Sequence, residues 1–261
     1  MPEDLSLTLI AFAYAVMLLA GLVHGTLGLG FPLVATPLLA LTVDVRTAIL
    51  ITLLPTVTVN IASLLKGGAW SQSIGRFWPL AIWAVIGAVA GARLLVVTDP
   101  TPFKLLLAML VLLYLWASHA GALNMPWVQR RLAISMLVFG LVGGFSAGTT
   151  NVMVPILIIY ALEVGLARTA MVQVFNMCFL AGKLSQIAVF GASGLLSAQL
   201  LLSTAPLAAT ALLALFAGMR LASRVPTEVY RKWVRRLLFV IALVLLGQFG
   251  VDVIARWVGG G

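Results

Sequence analysis

Apolar residues run along this chain in long blocks, and little separates one block from the next: a charge or two, or a glycine and a proline. Reading the blocks between such breaks gives segments at approximately 5–23, 27–43, 46–65, 77–97, 103–122, 132–145, 147–162, 168–190, 197–221 and 234–256. Most approach the roughly 20 residues that a helix needs to cross a hydrocarbon layer. Polar and apolar positions do not alternate within them, which predicts helices rather than a membrane β-barrel. Segments 27–43 and 147–162 are short for a straight crossing, so eight to ten spans are expected.

Those two short segments begin in the same kind of sequence. Gly25-Thr26-Leu27-Gly28-Leu29-Gly30-Phe31-Pro32, running on to Pro37, is answered by Gly144-Phe145-Ser146-Ala147-Gly148-Thr149-Thr150-Asn151, running on to Pro155. The correspondence continues in order. Arg46-Thr47-Ala48 meets Arg168-Thr169-Ala170, Pro79 meets Pro206, Gly91-Ala92-Arg93-Leu94 meets Gly218-Met219-Arg220-Leu221, and Phe103-Lys104 meets Tyr230-Arg231. The chain therefore divides into two repeats, 1–125 and 126–261, that share one membrane domain. Five segments per repeat is an odd number, so the second copy must insert upside down. The loop charges agree. Lys66 and Arg76 follow the third segment, whereas the counterpart loop at 191–196 has no charge. Asp99 and Lys104 follow the fourth, whereas its counterpart holds Arg224, Arg231, Lys232, Arg235 and Arg236 against Glu228. The expected fold is an all-α integral membrane protein of two inverted-topology repeats, with helices short or broken at the Gly/Pro motifs. Basic loops face the cytoplasm, which puts Lys66/Arg76, Arg130/Arg131 and Arg224–Arg236 inside and the acidic N-terminus outside.

Composition removes the soluble alternatives. Of 261 residues, 62% are hydrophobic and 9% charged, and mean hydropathy is +1.16. A soluble domain carries about a quarter charged residues. The formal charge of +9 is explained by the short loops, so nucleic acid is not an expected partner; the bilayer is. One cysteine, Cys178, excludes an internal disulfide and a cysteine-built metal site. Glu3 and Asp4 stand where a signal peptide would be basic, so no cleaved leader is expected. No intramembrane carboxylate pair, Ser/His/Asp set, HExxH or nucleotide loop occurs. The chain is therefore not expected to be an enzyme or to hold a cofactor or metal. Any active transport must draw on an ion gradient or the membrane potential.

The duplicated interruption is the strongest pointer to function, because matched Gly/Pro breaks in two apolar halves mark a transporter's binding site. Gly25, Gly28 and Gly30, and Gly143, Gly144 and Gly148, permit irregular backbone, and Pro32 favours the first turn of a new helix. A helix starting there exposes free N–H groups and a positive dipole end, which attract an anion. The plainer reading of any one glycine is close helix packing. The expected substrate contacts are Gly28, Gly30, Asn60, Gly148, Thr149, Thr150, Asn151, Gln173, Asn176 and Lys183. Gln173 and Asn176 share a helix face, and Lys183 is the one basic residue well inside an apolar segment, where charge is expensive and functional by default. His24 is the candidate for proton coupling. Arg46 and Arg168 are expected to anchor helix starts.

These residues resemble the TauE/SafE sulfite exporter family, also called the toluene sulfonate uptake permease family. The resemblance lies in Gly25-x-x-Gly28-x-Gly30 with Pro37 and Arg46-Thr47-Ala48, and in Gly143-Gly144 through Pro155 with Arg168-Thr169-Ala170. It covers approximately 10–250, and it departs from the usual triple glycine at Leu29 and at Ser146-Ala147. It implies a bacterial inner-membrane secondary carrier of sulfite, sulfoacetate or similar organosulfonates, proton-coupled in some members, with the N-terminus in the periplasm. The expected partners are a small anion and the lipid bilayer, with assembly as a homodimer left open. The readings left beside it are an anion-selective channel, a permease for small organic carboxylates and a non-transporting membrane scaffold.

Overall fold

A computed structural model of the chain describes residues 7–66, 70–222 and 227–259. Glu3, Asp4 and Arg224, and the side chains of Glu228, Tyr230 and Arg231, lie outside the described residues, and so do the expectations placed on them. The described secondary structure is helical throughout: α1 (Leu7–Leu27), α2 (Phe31–Leu39), α3 (Val45–Leu65), α4 (Ile74–Val97), α5 (Thr101–Ala120), α6 (Pro126–Arg130), α7 (Leu132–Thr150), α8 (Val154–Val164), α9 (Arg168–Ala192), α10 (Ala198–Ser203), α11 (Ala205–Leu221) and α12 (Thr227–Gly259). Among the described residues seven helices are long and apolar enough to span a bilayer, and α8 and α11 are shorter apolar helices. Large apolar side chains such as Trp78, Leu213 and Val251 point outward. Such a surface suits lipid rather than water. This is a multi-pass, all-α membrane protein.

Local chemistry sets several boundaries. Asp44 caps α3, accepting from the Thr47 N–H at 3.1 Å and the Thr47 hydroxyl at 2.6 Å. Gly165, at φ 71°, ends α8 in a left-handed turn, and the Leu166 N–H returns to the Ala161 carbonyl at 2.9 Å. The carboxylate of buried Glu163 accepts the N–H groups of Leu123 and Met125 and so fastens the α5–α6 connection to α8. The segment expected at 197–221 divides into α10 and α11 at Thr204, with Pro206 in the new first turn.

Packing pairs α1 with α11 and α4 with α7, and lays α3 and α9 against each other between them. α5 packs on α12 and on α8. Small residues make the two long contacts possible. A Cβ on Gly25 would strike the Leu215 carbonyl of α11, and one on Gly144 would strike the Ala84 carbonyl of α4. Without a hydrophobic drive between helices in lipid, this backbone approach is a main source of association.

Charge is divided between the two ends of the bundle. Lys66 lies over the Phe216 ring at 5.0 Å, and Arg235 donates to His119 at 3.0 Å. These contacts bring the α3–α4, α5–α6 and α11–α12 connections to one end, with Arg76, Arg130, Arg131, Lys232 and Arg236. The other end holds Asp44, Asp99 and a Lys104–Asp252 ion pair at 2.8 Å.

Candidate functional site

Two interruptions stand where apolar helices would otherwise continue. The first is Gly28-Leu29-Gly30, between α1 and α2, with φ 81° at Gly28 and 101° at Gly30. Gly30 has open space where a Cβ would go, so backbone conformation alone demands glycine there. The second falls later than the glycine cluster that suggested it. α7 runs unbroken through Gly143, Gly144 and Gly148 to Thr150, and the chain breaks at Asn151-Val152-Met153. A Cβ on Gly148 would meet the Ala88 carbonyl, so its glycine answers the approach of α4. The left-handed residue is Asn151, at φ 65°, and asparagine is among the few side chains that adopt this conformation readily.

Each break opens a new helix with proline in its first turn, Pro32 in α2 and Pro155 in α8. Neither helix has an N-cap side-chain bond. At the first break the Phe31 N–H donates to His24 Nδ1 at 3.2 Å. Because Nδ1 accepts, the ring proton sits on Nε2, which lies 3.0 Å from Ser63 Oγ. His24 is thus fully buried and joins α1, α2 and α3. No described acceptor takes the N–H groups of Leu29 and Gly30 here, or of Val152, Met153 and Val154 at the second break. All five residues are buried.

α3 and α9 carry polar side chains past both breaks. On α9, Asn176 donates to the Gly28 carbonyl at 3.1 Å and to the Val172 carbonyl at 2.8 Å. Two to three turns farther on, Gln186 donates to the carbonyls of Ala147 and Gly148 at 2.8 and 3.1 Å, closing the end of α7. Lys183, buried beside it, donates to Gln186 Oε1 at 2.6 Å. A basic group at a helix C-terminus sits at the negative end of its dipole. On α3, Thr52 Oγ1 and, from α2, Thr36 Oγ1 accept from Asn151 Nδ2 at 3.1 and 2.7 Å. Between the breaks lies a small cavity of about 10 Å³ lined by Pro32, Thr56, Asn151, Met153, Lys183 and Gln186. That is close to the least volume that holds one water.

Several fully buried polar atoms around this cavity and along α3 and α9 have no hydrogen-bond partner among the described residues: Thr56 Oγ1, both polar atoms of Asn60, and Asn176 Oδ1. Buried groups of this kind are normally satisfied, and an exception calls for an explanation.

The expected contacts separate accordingly. Gly28, Gly30 and Asn176 gather at the first break; Asn151, Lys183 and the carbonyl of Gly148 gather at the second. Asn60 lies one turn beyond Thr56 on α3. Thr149 and Thr150 are buried near the second break, but their hydroxyls return to their own helix at the carbonyls of Phe145 and Ser146. Gln173 lies against the start of α4, where Ser73 donates to its Oε1 at 2.6 Å. Arg46 anchors as expected, donating to the carbonyls of Leu95 and Thr98 at 2.7–3.1 Å. Sequence reading passed over Thr36 and did not single out Gln186. Each had a signal: Thr36 is the only polar residue of α2, and Gln186 lies one helical turn from Lys183. Among the described residues no group of three His, Cys, Asp or Glu side chains is placed to hold a metal.

The family model described as Sulfite exporter TauE/SafE matches residues 13–245, nearly the whole chain. Neither a curated protein nor a solved structure matches it.

Proposed function

This chain belongs to the sulfite exporter TauE/SafE family, and from that premise we propose that it is a secondary carrier which binds a small sulfur oxyanion between its two helix breaks. The observation that carries the reading is the set of buried, unpaired N–H groups at the starts of α2 and α8. They stand at and just before the first residues of two helices that begin inside the protein. In apolar surroundings each unsatisfied group costs several kcal/mol, and an anion satisfies several at once. Thr56 and Asn60 add neutral donors, and Lys183 lines the same cavity as counter-charge. The cavity is too small for sulfite, so binding requires the breaks to part.

Alternating access follows if residues 1–125 and 126–261 are inverted repeats rocking against each other. The packing supports that division. The α1–α11 and α4–α7 contacts exchange places when α1 is matched with α7 and α4 with α11. The basic end of the bundle then faces the cytoplasm and the N-terminus the periplasm across the inner membrane. His24 offers a route to proton coupling: a proton on Nδ1 ends its acceptance from Phe31 and frees that N–H for the anion.

Purified protein in liposomes tests the reading. Saturable sulfite or sulfoacetate counterflow, lowered in Lys183→Ala and Asn60→Ala, supports it. Large unitary currents without counterflow make the protein a channel. Tight binding of a cation with no anion effect overturns the proposal.

A further inference from the structure

Two larger cavities open at opposite ends of the bundle, and they are built from matching parts. One, of about 270 Å³, lies among the ends of α5 and α8 and the starts of α9 and α12. The other, of about 690 Å³, lies among the end of α2, the starts of α3 and α5 and the later part of α12. Exchanging the proposed halves turns one set of helix ends into the other. Their charges do not match. The larger cavity is lined by Asp44 and by Lys104 and Asp252, which neutralise each other at 2.8 Å. The smaller is lined by Arg168 and Arg235, with Tyr114 and Ser118, and includes no acidic residue.

The corresponding arginines also differ in use. Arg46 spends its guanidinium on the carbonyls at the end of α4. Arg168, its counterpart, is exposed and has no hydrogen bond or ion pair to any described residue. Arg235 is half-buried and oriented by His119 at 3.0 Å. The His119 Nδ1 lies 2.7 Å from the Leu115 carbonyl. That contact places the ring proton on Nδ1 and leaves Nε2 as an acceptor for Arg235. Leu27 and Leu29 line the same cavity, so its inner wall is the first helix break itself.

We propose that the Arg168–Arg235 cavity is an anion-capture vestibule. It takes a small tetrahedral or pyramidal oxyanion at the basic end and delivers it to the Gly28–Gly30 break, while the Asp44–Asp252 cavity at the other end does not take anions. Two guanidinium groups lining one recess suit such a ligand through charge-assisted hydrogen bonds. The vestibule is separate from the site between the breaks, and only its part in transport rests on the carrier reading above.

Arginine modification tests occupancy without any need for transport. Full-length protein in uncharged detergent is treated with phenylglyoxal, and adducts at Arg168, Arg46 and Arg236 are quantified by mass spectrometry with and without sulfoacetate, which, unlike sulfite, does not add to the reagent's aldehyde. The expected result is slower labelling of Arg168 in the presence of the anion, with Arg46 and exposed Arg236 unchanged. Equal labelling of Arg168 with and without anion overturns the proposal. So does protection in nanodiscs of anionic phospholipid that sulfoacetate does not reproduce, which would make the cavity a lipid-headgroup seat. In the Arg235→Gln variant the sulfoacetate concentration that half-protects Arg168 should rise roughly fivefold, as expected for a lost charge-assisted bond. An unchanged half-protecting concentration refutes the vestibule. If Arg168 is protected but no anion is transported, the vestibule stands and the carrier reading falls.

Discussion

Replacing Gln186 by leucine should reveal how tightly the second break is tied to Lys183. Lys183 is 3% exposed, and the acceptor found for its amine among the described residues is Gln186 Oε1, at 2.6 Å. The same glutamine donates to the carbonyls of Ala147 and Gly148. Ala147 keeps a second donor in the Asn151 N–H at 2.8 Å, so little is lost there. Gly148 keeps none among the described residues. A buried donor stripped of its acceptor costs about 1–3 kcal/mol, and more if charged, and an orphaned carbonyl costs about 1 kcal/mol further. Gln186→Leu should therefore lower stability by about 3 kcal/mol. Lys183→Met removes the same bond from the other side but leaves Gln186 capping α7, at about 1–2 kcal/mol. The double variant leaves no stranded amine and no stranded Oε1, so its loss should be near 1–2 kcal/mol rather than the sum. Unfolding by sodium dodecyl sulfate in mixed micelles, followed by far-ultraviolet circular dichroism, gives the cycle. A coupling of about 2 kcal/mol or more is expected, and additivity within about 0.5 kcal/mol would refute the linkage. The double variant also separates fold from function: it should unfold cooperatively yet lose the stabilisation that sulfite confers on the parent protein.

Asn151→Gly keeps the left-handed turn and loses two hydrogen bonds, a loss of about 1–2 kcal/mol. Asn151→Leu adds about 1–2 kcal/mol of backbone strain, and equal unfolding midpoints for the two would show that the turn is unstrained. Gly144→Val drives a side chain into the Ala84 carbonyl and should cost about 2–4 kcal/mol by separating α4 from α7. Gly247→Val, on α12 with no neighbour within 4 Å, should be tolerated in the same assay, and matched losses at both positions would contradict the packing.

The sequence by itself determined the class of molecule. Long apolar blocks and a shortage of charge leave no soluble fold open, because 9% charged residues cannot cover a water-facing surface. It also located two interruptions, since positive φ at Gly28 and Gly30 and proline in the first turns of α2 and α8 are written in residue type. The second break was misplaced for a physical reason. A glycine in an apolar segment serves equally to bend the chain or to admit a neighbouring helix, and only the position of α4 shows that Gly144 and Gly148 do the latter. The pairing of side chains was likewise beyond sequence. Lys183 reads as a lone cation until Gln186 and the end of α7 are placed beside it. Arg46 and Arg168 are the same residue in the same motif, yet one is bound to the end of α4 and the other lines an open cavity. Local sequence specifies where a helix can start or stop, whereas the partner of a buried polar group is set by distant segments that the chain brings together only on folding.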